Sequence, residues 1–322
     1  MICLNIKPIN DERLTCFERP LCVLANWLKR EYEPMFIGCF SFSHNYVKSY
    51  NSIYDSLDML LLMNTYSKMA GIDVTIHQLD AFHHFLSTIH DNLSNGYPIM
   101  TFIDSFWCPW YPSYKTSHIK HYVLIIGIDV SQKHVFCLDR YNEDDYIRVL
   151  PFDDLKSGRG EYLIFSSQML CSRSSTQYSH QLHKNLIFVC SEHYNIWKNI
   201  DLFKTSFGAE FDIIAEIENV HTYKVASIYT WLKGVSNSRS KLKDSLIWFN
   251  RTYYAYFPED ILMMLNTAQK KWWKIVLLLI KSISSNSKKE YIYVQNTLDQ
   301  IITLEREIYS RLLVLTNEKE YL

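Results

Sequence analysis

The fold of this chain is decided by two neighbouring runs, His118-Ile-Lys-His-Tyr-Val-Leu-Ile-Ile-Gly-Ile-Asp129 and His134-Val-Phe-Cys-Leu-Asp139. Each is β-rich, and a polar turn separates them, which predicts an antiparallel hairpin centred on Val130. In that hairpin His121 and Asp139 would face each other, because opposed residues have Cβ atoms about 4.5–5.5 Å apart. A slip of one residue would put them on opposite faces of the sheet.

Helices and further strands surround this hairpin. Apolar side chains near the N-terminus have the spacing of one helix face, at Phe17, Leu21, Leu24 and Leu28. Helical patterns also cover about 55–69 and 78–92. Runs bounded by turn residues predict strands at 99–103, 122–128, 135–138, 147–150 and 162–165. Residues 1–171 are therefore expected to form an α+β domain.

The second half of the chain has a different pattern. The polar stretch 172–179 is typical of a linker. Beyond it, helical patterns cover 241–256, 258–282 and 292–315. We therefore expect residues 172–322 to form a mainly α-helical domain.

Composition and charge argue against several classes of protein. The 322 residues carry 33 basic and 34 acidic side chains, without the excess of Lys and Arg that phosphate neutralisation needs. No glycine-rich nucleotide-binding motif occurs. Eight cysteines are present without a C-x-x-C pair, which disfavours a zinc site and a thioredoxin-type redox motif. We expect no nucleic acid partner and no metal, although a site built from His118, His121 and Asp139 is conceivable.

Hydropathy gives no sign of a membrane segment. The most apolar run, 275–280, is far shorter than the roughly 20 residues of a spanning helix. The N-terminus has no basic region followed by an apolar one, so it does not read as a secretory signal. The expected location is the cytoplasm.

Cys16 is distinguished from the other cysteines by its position. Thr15-Cys16-Phe17-Glu18 fits a capping box in which Thr15 is the N-cap and Cys16 is the first helical residue. The positive end of a helix stabilises a thiolate and so favours a nucleophilic cysteine. Pro20 offers an alternative helix start, but either register leaves Cys16 at the positive end. A structural thiol beside a cap is the simpler alternative.

A base and an orienting acid follow Cys16 in the chain. His121 precedes an apolar strand and Asp139 ends the next one, so the three residue types match a nucleophile, a general base and its orienter. Taken singly, a histidine before a strand is more often a surface or satisfied core residue, and Asp139 can be explained as a cap of the following turn. The set of three favours catalysis.

These residues, in this order, resemble the family of the butirosin-biosynthesis acyltransferase, whose N-terminal domain is related to papain-like and C39-like cysteine peptidases. The motifs that carry the resemblance lie within about residues 10–170 and are Thr15-Cys16-Phe17-Glu18, Phe102-Ile-Asp104, Trp110-Tyr111-Pro-Ser-Tyr114, His118-Ile-Lys-His121, 123–129 and Val135-Phe-Cys-Leu-Asp139. The resemblance implies a papain-like fold, with an N-terminal helix carrying the cysteine and an antiparallel sheet carrying the histidine and the acid.

The resemblance also implies an activity. Such an enzyme takes an acyl group from a carrier-protein thioester onto its cysteine and passes it to an amine, forming an amide. The donor is phosphopantetheine-linked and sits on a partner, an acyl carrier protein or a peptidyl carrier domain, and the acceptor is a small amine. No cofactor is bound by the enzyme itself. The helical second half would then serve as a lid or as a docking site for acceptor or carrier.

Individual roles follow from the same resemblance. Cys16 would be the nucleophile, His121 the general base and Asp139 the orienting acid. An amide six residues before the cysteine would help to form the oxyanion hole, which is Asn10 here, beside the backbone N–H of Cys16. Side chains expected near the entrance of the site, as substrate contacts, are Asp104, Tyr111, Tyr114 and His118.

Two other functions are compatible with the same residues. A cysteine peptidase or a thioester hydrolase would use the same Cys16, His121 and Asp139, and spacing alone does not separate hydrolysis from transfer. A non-catalytic binding module with this fold is the third possibility, which the presence of all three catalytic residue types disfavours.

Overall fold

The computed structural model describes residues 1–39, 66–78, 81–139, 147–167, 174–191, 195–207, 212–214, 217, 227–254 and 257–317. The chain divides into two units. The first comprises Met1–Tyr32 and Met63–Cys171, and the second comprises Glu33–Leu62 and Ser172–Leu322. The first unit is α+β and the described part of the second is mainly helical, which confirms the predicted class.

The first unit is built on one antiparallel sheet. Its strands in the described residues are β1 (Ile2–Cys3), β2 (Ile72–His77), β3 (Ile99–Asp104), β4 (Lys120–Asp129), β5 (His134–Leu138), β6 (Ile147–Pro151) and β7 (Arg159–Ser167). They are ordered β2-β7-β3-β4-β5-β6, and β1 pairs with β4. The helices of this unit are α1 (Glu18–Trp27), α2 (Phe82–Ser94) and α3 (Phe152–Gly158), with a 3₁₀ helix at Ser105–Trp107.

Strand β4 runs through the centre of the core. Its residues from 121 to 128 are all buried, and α1 and α2 both pack against it. A strand that is covered in this way reads as a continuous apolar run rather than an alternating one. The continuous apolar run of β4, which predicted a strand of the hairpin, is therefore also the reason that β4 lies in the core of the unit.

The predicted strands are all present, and two strands were not predicted. β1 has only two residues, too few for a recognisable pattern, and β2 was not identified from its sequence. Helix α2 corresponds to the pattern over 78–92, with its start at Phe82. Most of the helix predicted over 55–69 lies outside the described residues, of which 66–69 are helical.

The second unit consists mainly of helices. Those with described bounds are α4 (Ser175–Cys190), α5 (Ile196–Ser206), α6 (Ser227–Tyr253), α7 (Glu259–Ser285) and α8 (Tyr291–Asn317). Helix α7 packs against both α6 and α8. Helix α6 starts at Ser227, well before the predicted residue 241. In the described part of the chain, no helix combines the length and apolarity that a bilayer-spanning helix needs.

The linker predicted over 172–179 is wrong from Ser175 onward, where α4 begins. A capping box starts this helix: the Ser174 hydroxyl accepts from the Gln177 N–H at 3.3 Å, and Gln177 accepts from the Ser174 N–H at 3.0 Å. Polar residues at a helix start have the composition of a linker, but here two of them satisfy backbone N–H groups that the helix leaves unpaired.

A segment of the first half also belongs to the second unit. The 3₁₀ helix Glu33–Gly38 packs against α6 and α4, and the Ser245 hydroxyl donates a hydrogen bond to the Glu33 carbonyl oxygen. Phe36 and its neighbours Met35 and Ile37 are buried there. The domain predicted as the continuous range 1–171 is therefore interrupted in the structure.

Candidate active site

Cys16 lies just before α1, at the positive end of this helix. The Thr15 N–H donates to Glu18 Oε2 at 2.9 Å, and the Glu18 N–H donates to Thr15 Oγ1 at 3.3 Å, so both hydrogen bonds of the predicted capping box form. The Arg19 N–H donates to the Thr15 carbonyl oxygen at 3.0 Å, the hydrogen bond of an α-helical turn. Regular helix begins at Glu18, two residues later than predicted, and Cys16 lies in the turn that leads into it.

The predicted hairpin is present, but in a different register. Its pairs are Asp129 with His134, Ile128 with Val135, Gly127 with Phe136, Ile125 with Cys137 and Leu124 with Leu138. His121 and Asp139 are therefore not directly opposed, because continuing this register places Val123 opposite Asp139. Since His121 lies two residues from Val123, it points to the same face as Asp139.

An irregularity in β4 produces this arrangement. The register shifts between Ile125 and Gly127, where Ile126 is an extra residue on β4. Without the shift, residues 121 and 139 would have opposite parity and would point to opposite faces of the sheet. The bulge therefore brings the imidazole and the carboxylate to the same face of the sheet. The hairpin centred on Val130 also predicted that the two side chains share a face, but from a register that the structure does not have.

The two side chains make direct contact. His121 Nε2 lies 2.8 Å from Asp139 Oδ2, and both residues are buried, with 5% and 8% of their surface exposed. The indole Nε1 of Trp110 donates to the same oxygen at 2.8 Å. The Tyr111 hydroxyl oxygen lies 3.1 Å from His121 Nε2. The carboxylate is thus held from two sides, and it fixes the orientation of the imidazole.

The environment of His121 favours its protonated form. Burial acts to lower the pKa of His121, but the charge of Asp139, the hydrogen bond to it and the interaction with Cys16 outweigh burial and raise the pKa to about 10. Because Asp139 occupies Nε2, the second ring nitrogen, Nδ1, is the one that can serve the thiol. At neutral pH the imidazole is therefore a cation beside Cys16.

Tyr111 is neutral at this site. Burial, followed by the negative charge of Asp139 and nearby thiols, raises the pKa of Tyr111 far above its ordinary value, and the charge of Arg19 opposes this. The hydroxyl consequently keeps its proton throughout the physiological pH range.

A pocket of about 180 Å³ lies over this cluster. Its walls are formed by Leu14, Cys16, Arg19, Pro20, Tyr111, His121, Tyr122, Leu138 and Asp139. The Cys16 thiol is partly exposed. Cys108 and Cys137 are fully buried, and burial, with added negative charge nearby, raises the pKa of both thiols. Among the described cysteines, Cys16 is the one that lines this pocket.

The structure does not bring Asn10 to the pocket. Its side chain is exposed, whereas the preceding Ile9 is buried. The count of six residues before the cysteine carries no information on the path of the irregular segment between Asn10 and Cys16. The oxyanion donor predicted at Asn10 is therefore not in place.

Asp104 and His118 meet each other outside the pocket. His118 Nδ1 lies 2.5 Å from Asp104 Oδ2, and Asp104 Oδ1 accepts from the Phe106 N–H at 3.0 Å as the N-cap of the 3₁₀ helix. Asp104 pairs with Lys120 in the sheet, and residues adjacent in a strand point to opposite faces, so Asp104 lies on the face away from His121. Its position is explained by capping.

Tyr114 also lies apart from the predicted entrance. Its hydroxyl donates to Asp154 Oδ2 at 3.4 Å, and Lys115 Nζ lies 3.0 Å from Asp154 Oδ1. Of the residues predicted as substrate contacts, Tyr111 alone lines the pocket.

Sequence reasoning missed two contributors to the site. Arg19 lines the pocket three residues after Cys16, and helical spacing from Cys16 was a usable signal for it. Trp110 lies within a motif that the sequence singled out, but no pattern indicated its contact with Asp139. In the described residues, no group of three or more His, Cys, Asp or Glu side chains is arranged to hold a metal ion.

Part of the chain matches a family model. Residues 32–140, about a third of the chain, match the model described as "Butirosin biosynthesis protein H, N-terminal". The match includes His121 and Asp139, and Cys16 precedes it. No curated protein matches the chain. The family resemblance predicted from the sequence is confirmed: over residues 32–140 the chain is similar to the N-terminal region of butirosin biosynthesis protein H.

Proposed function

We propose that this protein is a cysteine-dependent acyltransferase of antibiotic-type secondary metabolism. It would move an acyl group from a thioester, carried by a carrier protein or a coenzyme A-like molecule, through an acyl-cysteine to an amine, and so form an amide. The observation that carries the proposal is the meeting of Cys16, His121 and Asp139 at one pocket. A helix start bearing the thiol and an antiparallel sheet bearing the imidazole and the acid also fit the papain-like fold that we assign to the first unit.

The first stage transfers the acyl group to the enzyme. The Cys16 thiolate attacks the carbonyl carbon of the thioester, a new S–C bond forms, and the carbonyl oxygen becomes an oxyanion. When the tetrahedral intermediate collapses, the C–S bond to pantetheine breaks and the departing sulfur takes the proton of the His121 imidazolium. The products are acyl-Cys16 and free pantetheine thiol, and His121 is left neutral.

The second stage releases the amide. Neutral His121 accepts a proton from the attacking amine while the C–N bond forms, and then returns it to the Cys16 sulfur as the S–C bond breaks. Throughout, Asp139 holds Nε2 of the imidazole at 2.8 Å and stabilises the imidazolium. In this cycle His121 acts as an acid in one step and as a base in the next.

The oxyanion needs donors other than Asn10. We assign this role to the backbone N–H of Cys16, in the turn that leads into α1, and to the hydroxyl of Tyr111. The raised pKa of Tyr111 keeps it a donor at the pH of the reaction. The Leu14, Pro20 and Leu138 walls of the pocket limit access of water to the acyl-cysteine, which an amine transferase requires.

Intact-protein mass spectrometry tests the proposal. The full chain is incubated with simple acyl-pantetheine thioesters, with Cys16→Ala as the control, and amines are then added. An adduct that requires Cys16, persists in water and is discharged by an amine supports the transferase. Rapid turnover of the adduct in water identifies a thioester hydrolase instead. A Cys16 that no thioester acylates and no alkylating agent modifies would contradict any catalytic function, and would favour a binding module.

A further inference from the structure

Arg19 places a fixed cation on the wall of the pocket, one helical turn from the thiol. The hydrogen bond from the Arg19 N–H to the Thr15 carbonyl oxygen closes an α-type turn that contains Cys16, directly where regular helix begins at Glu18. Residues three apart in a helix lie on one face, with Cβ atoms about 5–6 Å apart. Cys16 and Arg19 both line the same pocket, as this spacing requires.

The chain before α1 holds the guanidinium in place. Arg19 Nη2 donates to the carbonyl oxygens of Asp11, at 3.1 Å, and Leu14, at 3.2 Å. These two hydrogen bonds orient the guanidinium. The Asp11 carboxylate itself is bound by Arg13, through Nε at 2.9 Å and Nη2 at 2.7 Å. The positive charge of Arg19 is felt inside the pocket: it lowers the pKa of Tyr111, against the larger effect of burial, which raises it.

We propose that Arg19 binds a carboxylate of the group that reacts at Cys16, and that this pocket therefore selects anionic substrates. The inference rests on the proposed function and adds a substrate class to it. A guanidinium presents donors in a fork that matches a carboxylate. An acyl chain that ends in a carboxylate a few bonds beyond its reacting carbonyl would reach from the Cys16 sulfur to Arg19, because residues three apart in a helical turn typically have Cβ atoms about 5–6 Å apart.

Two alkylating agents that differ in charge provide the first test. Iodoacetate and iodoacetamide both alkylate a thiolate, with formation of a C–S bond and loss of iodide, and only iodoacetate carries a carboxylate. The rates are measured separately for the Cys16 and Cys3 peptides by mass spectrometry, because Cys3 is exposed and outside the pocket. We expect the iodoacetate to iodoacetamide rate ratio to be higher at Cys16 than at Cys3.

Substitution of Arg19 isolates its contribution from that of the His121 cation. In Arg19→Met we expect the rate ratio at Cys16 to fall about tenfold, the effect of one lost charge-assisted hydrogen bond. Lys7→Met is the control, because it removes an exposed cation from the same N-terminal segment that does not line the pocket; its ratio should stay that of the wild type. An equal ratio in wild type and Arg19→Met would overturn the proposal.

Thioester and amine pairs then identify which reactant carries the carboxylate. Succinyl-pantetheine is compared with butyryl-pantetheine as the donor, and β-alanine with propylamine as the acceptor. If the wild type prefers succinyl-pantetheine and Arg19→Met does not, the donor carries the carboxylate. If the wild type prefers β-alanine and Arg19→Met does not, the acceptor carries it. If Arg19 controls the alkylation ratio but no thioester acylates Cys16, the anion site stands and the proposed transferase fails. Acylation without a preference for either anionic member contradicts the anion site.

Discussion

Trp110 donates its indole N–H to Oδ2 of Asp139 at 2.8 Å, the same oxygen that His121 contacts from within the pocket. The carboxylate is thereby held by a group outside the proposed reaction as well as by the imidazole. This makes Trp110 a positioning residue, since it reaches the thiol only through Asp139 and His121. It also connects the loop between β3 and β4 to the geometry of the site.

Trp110→Phe should slow alkylation of Cys16 about tenfold while the fold is retained. The substitution keeps an aromatic ring but removes the donor to a charged acceptor, a hydrogen bond of the stronger class. The measurement is the rate of iodoacetamide modification of the Cys16 peptide, together with the thermal midpoint of unfolding.

Trp27→Phe is the matched control for this substitution. The Trp27 indole donates to the Gly96 carbonyl oxygen at 2.9 Å, away from the pocket. Loss of this hydrogen bond should lower the stability of the protein without slowing the alkylation of Cys16. Equal slowing in both variants would show that Trp110 acts only through general stability.

Asp139→Asn should lower the pKa of His121. The charge of Asp139 is the main influence that raises this pKa to about 10 against the effect of burial; without it, we expect a value near or below the ordinary one of about 6.5. Titration of the imidazole ¹⁵N signals measures both proteins directly. A midpoint near 10 in the variant would contradict the assignment of Asp139 as the partner that charges the imidazole.

The same coupling has a consequence for stability. A raised pKa of His121 stabilises the fold fully below the unfolded value of about 6.5. This stabilisation is lost as the pH rises through the folded value of about 10. The free energy of unfolding should therefore fall more steeply between pH 7 and pH 10 in wild type than in Asp139→Asn, as measured by urea denaturation.

Tyr111→Phe should slow the acylation of Cys16, whereas Asn10→Ala should leave its rate unchanged. Tyr111 lines the pocket and Asn10 does not, so only the first substitution removes a donor from the developing oxyanion. Loss of such a donor costs about 10²–10³ in rate where it has been measured in other enzymes. Single-turnover acylation of Cys16 provides the comparison. A large loss in Asn10→Ala would restore the role that the family resemblance implied for this residue.

Gly127→Ala should destabilise the first unit and disturb the site. A Cβ at this position would lie 2.8 Å from the Ile2 carbonyl oxygen and 2.9 Å from Phe136 Cδ2, so β1 or the bulge beside Gly127 must shift. A cost of about 1–3 kcal/mol is typical of such overpacking. Because the bulge sets the face of His121, Cys16 alkylation should slow as well.

Gly234→Ala is the comparison for this prediction. Gly234 lies within α6, and nothing lies within 4 Å of an added Cβ there. Alanine in a helix interior should stabilise the protein by about 0.5–1 kcal/mol. Chemical denaturation of both variants measures the difference, and a Gly127→Ala protein as stable as wild type would show that the close approach to β1 relaxes easily.

Local features of the fold could be predicted from the sequence. The capping box at Thr15 and Glu18 forms through hydrogen bonds between residues three apart, and strands β3 to β7 were recognisable because apolar runs between turn residues depend on near neighbours. The residue types and their order along the chain also singled out Cys16, His121 and Asp139 as candidate catalytic residues. All these features depend on interactions within about one helical turn or one strand.

The tertiary structure decided the features that depend on residues far apart in sequence. Ile126 is the extra residue of a bulge in β4, and this bulge decides which face of the sheet His121 points to. Counting residues from the turn at Val130 does not predict the bulge. Trp110 meets Asp139 across 29 positions of sequence, and Asn10 is exposed and does not line the pocket. A pattern fixes which residues share a strand or a helix face, whereas register, pocket walls and hydrogen bonds between separate elements follow from the packing of the whole core.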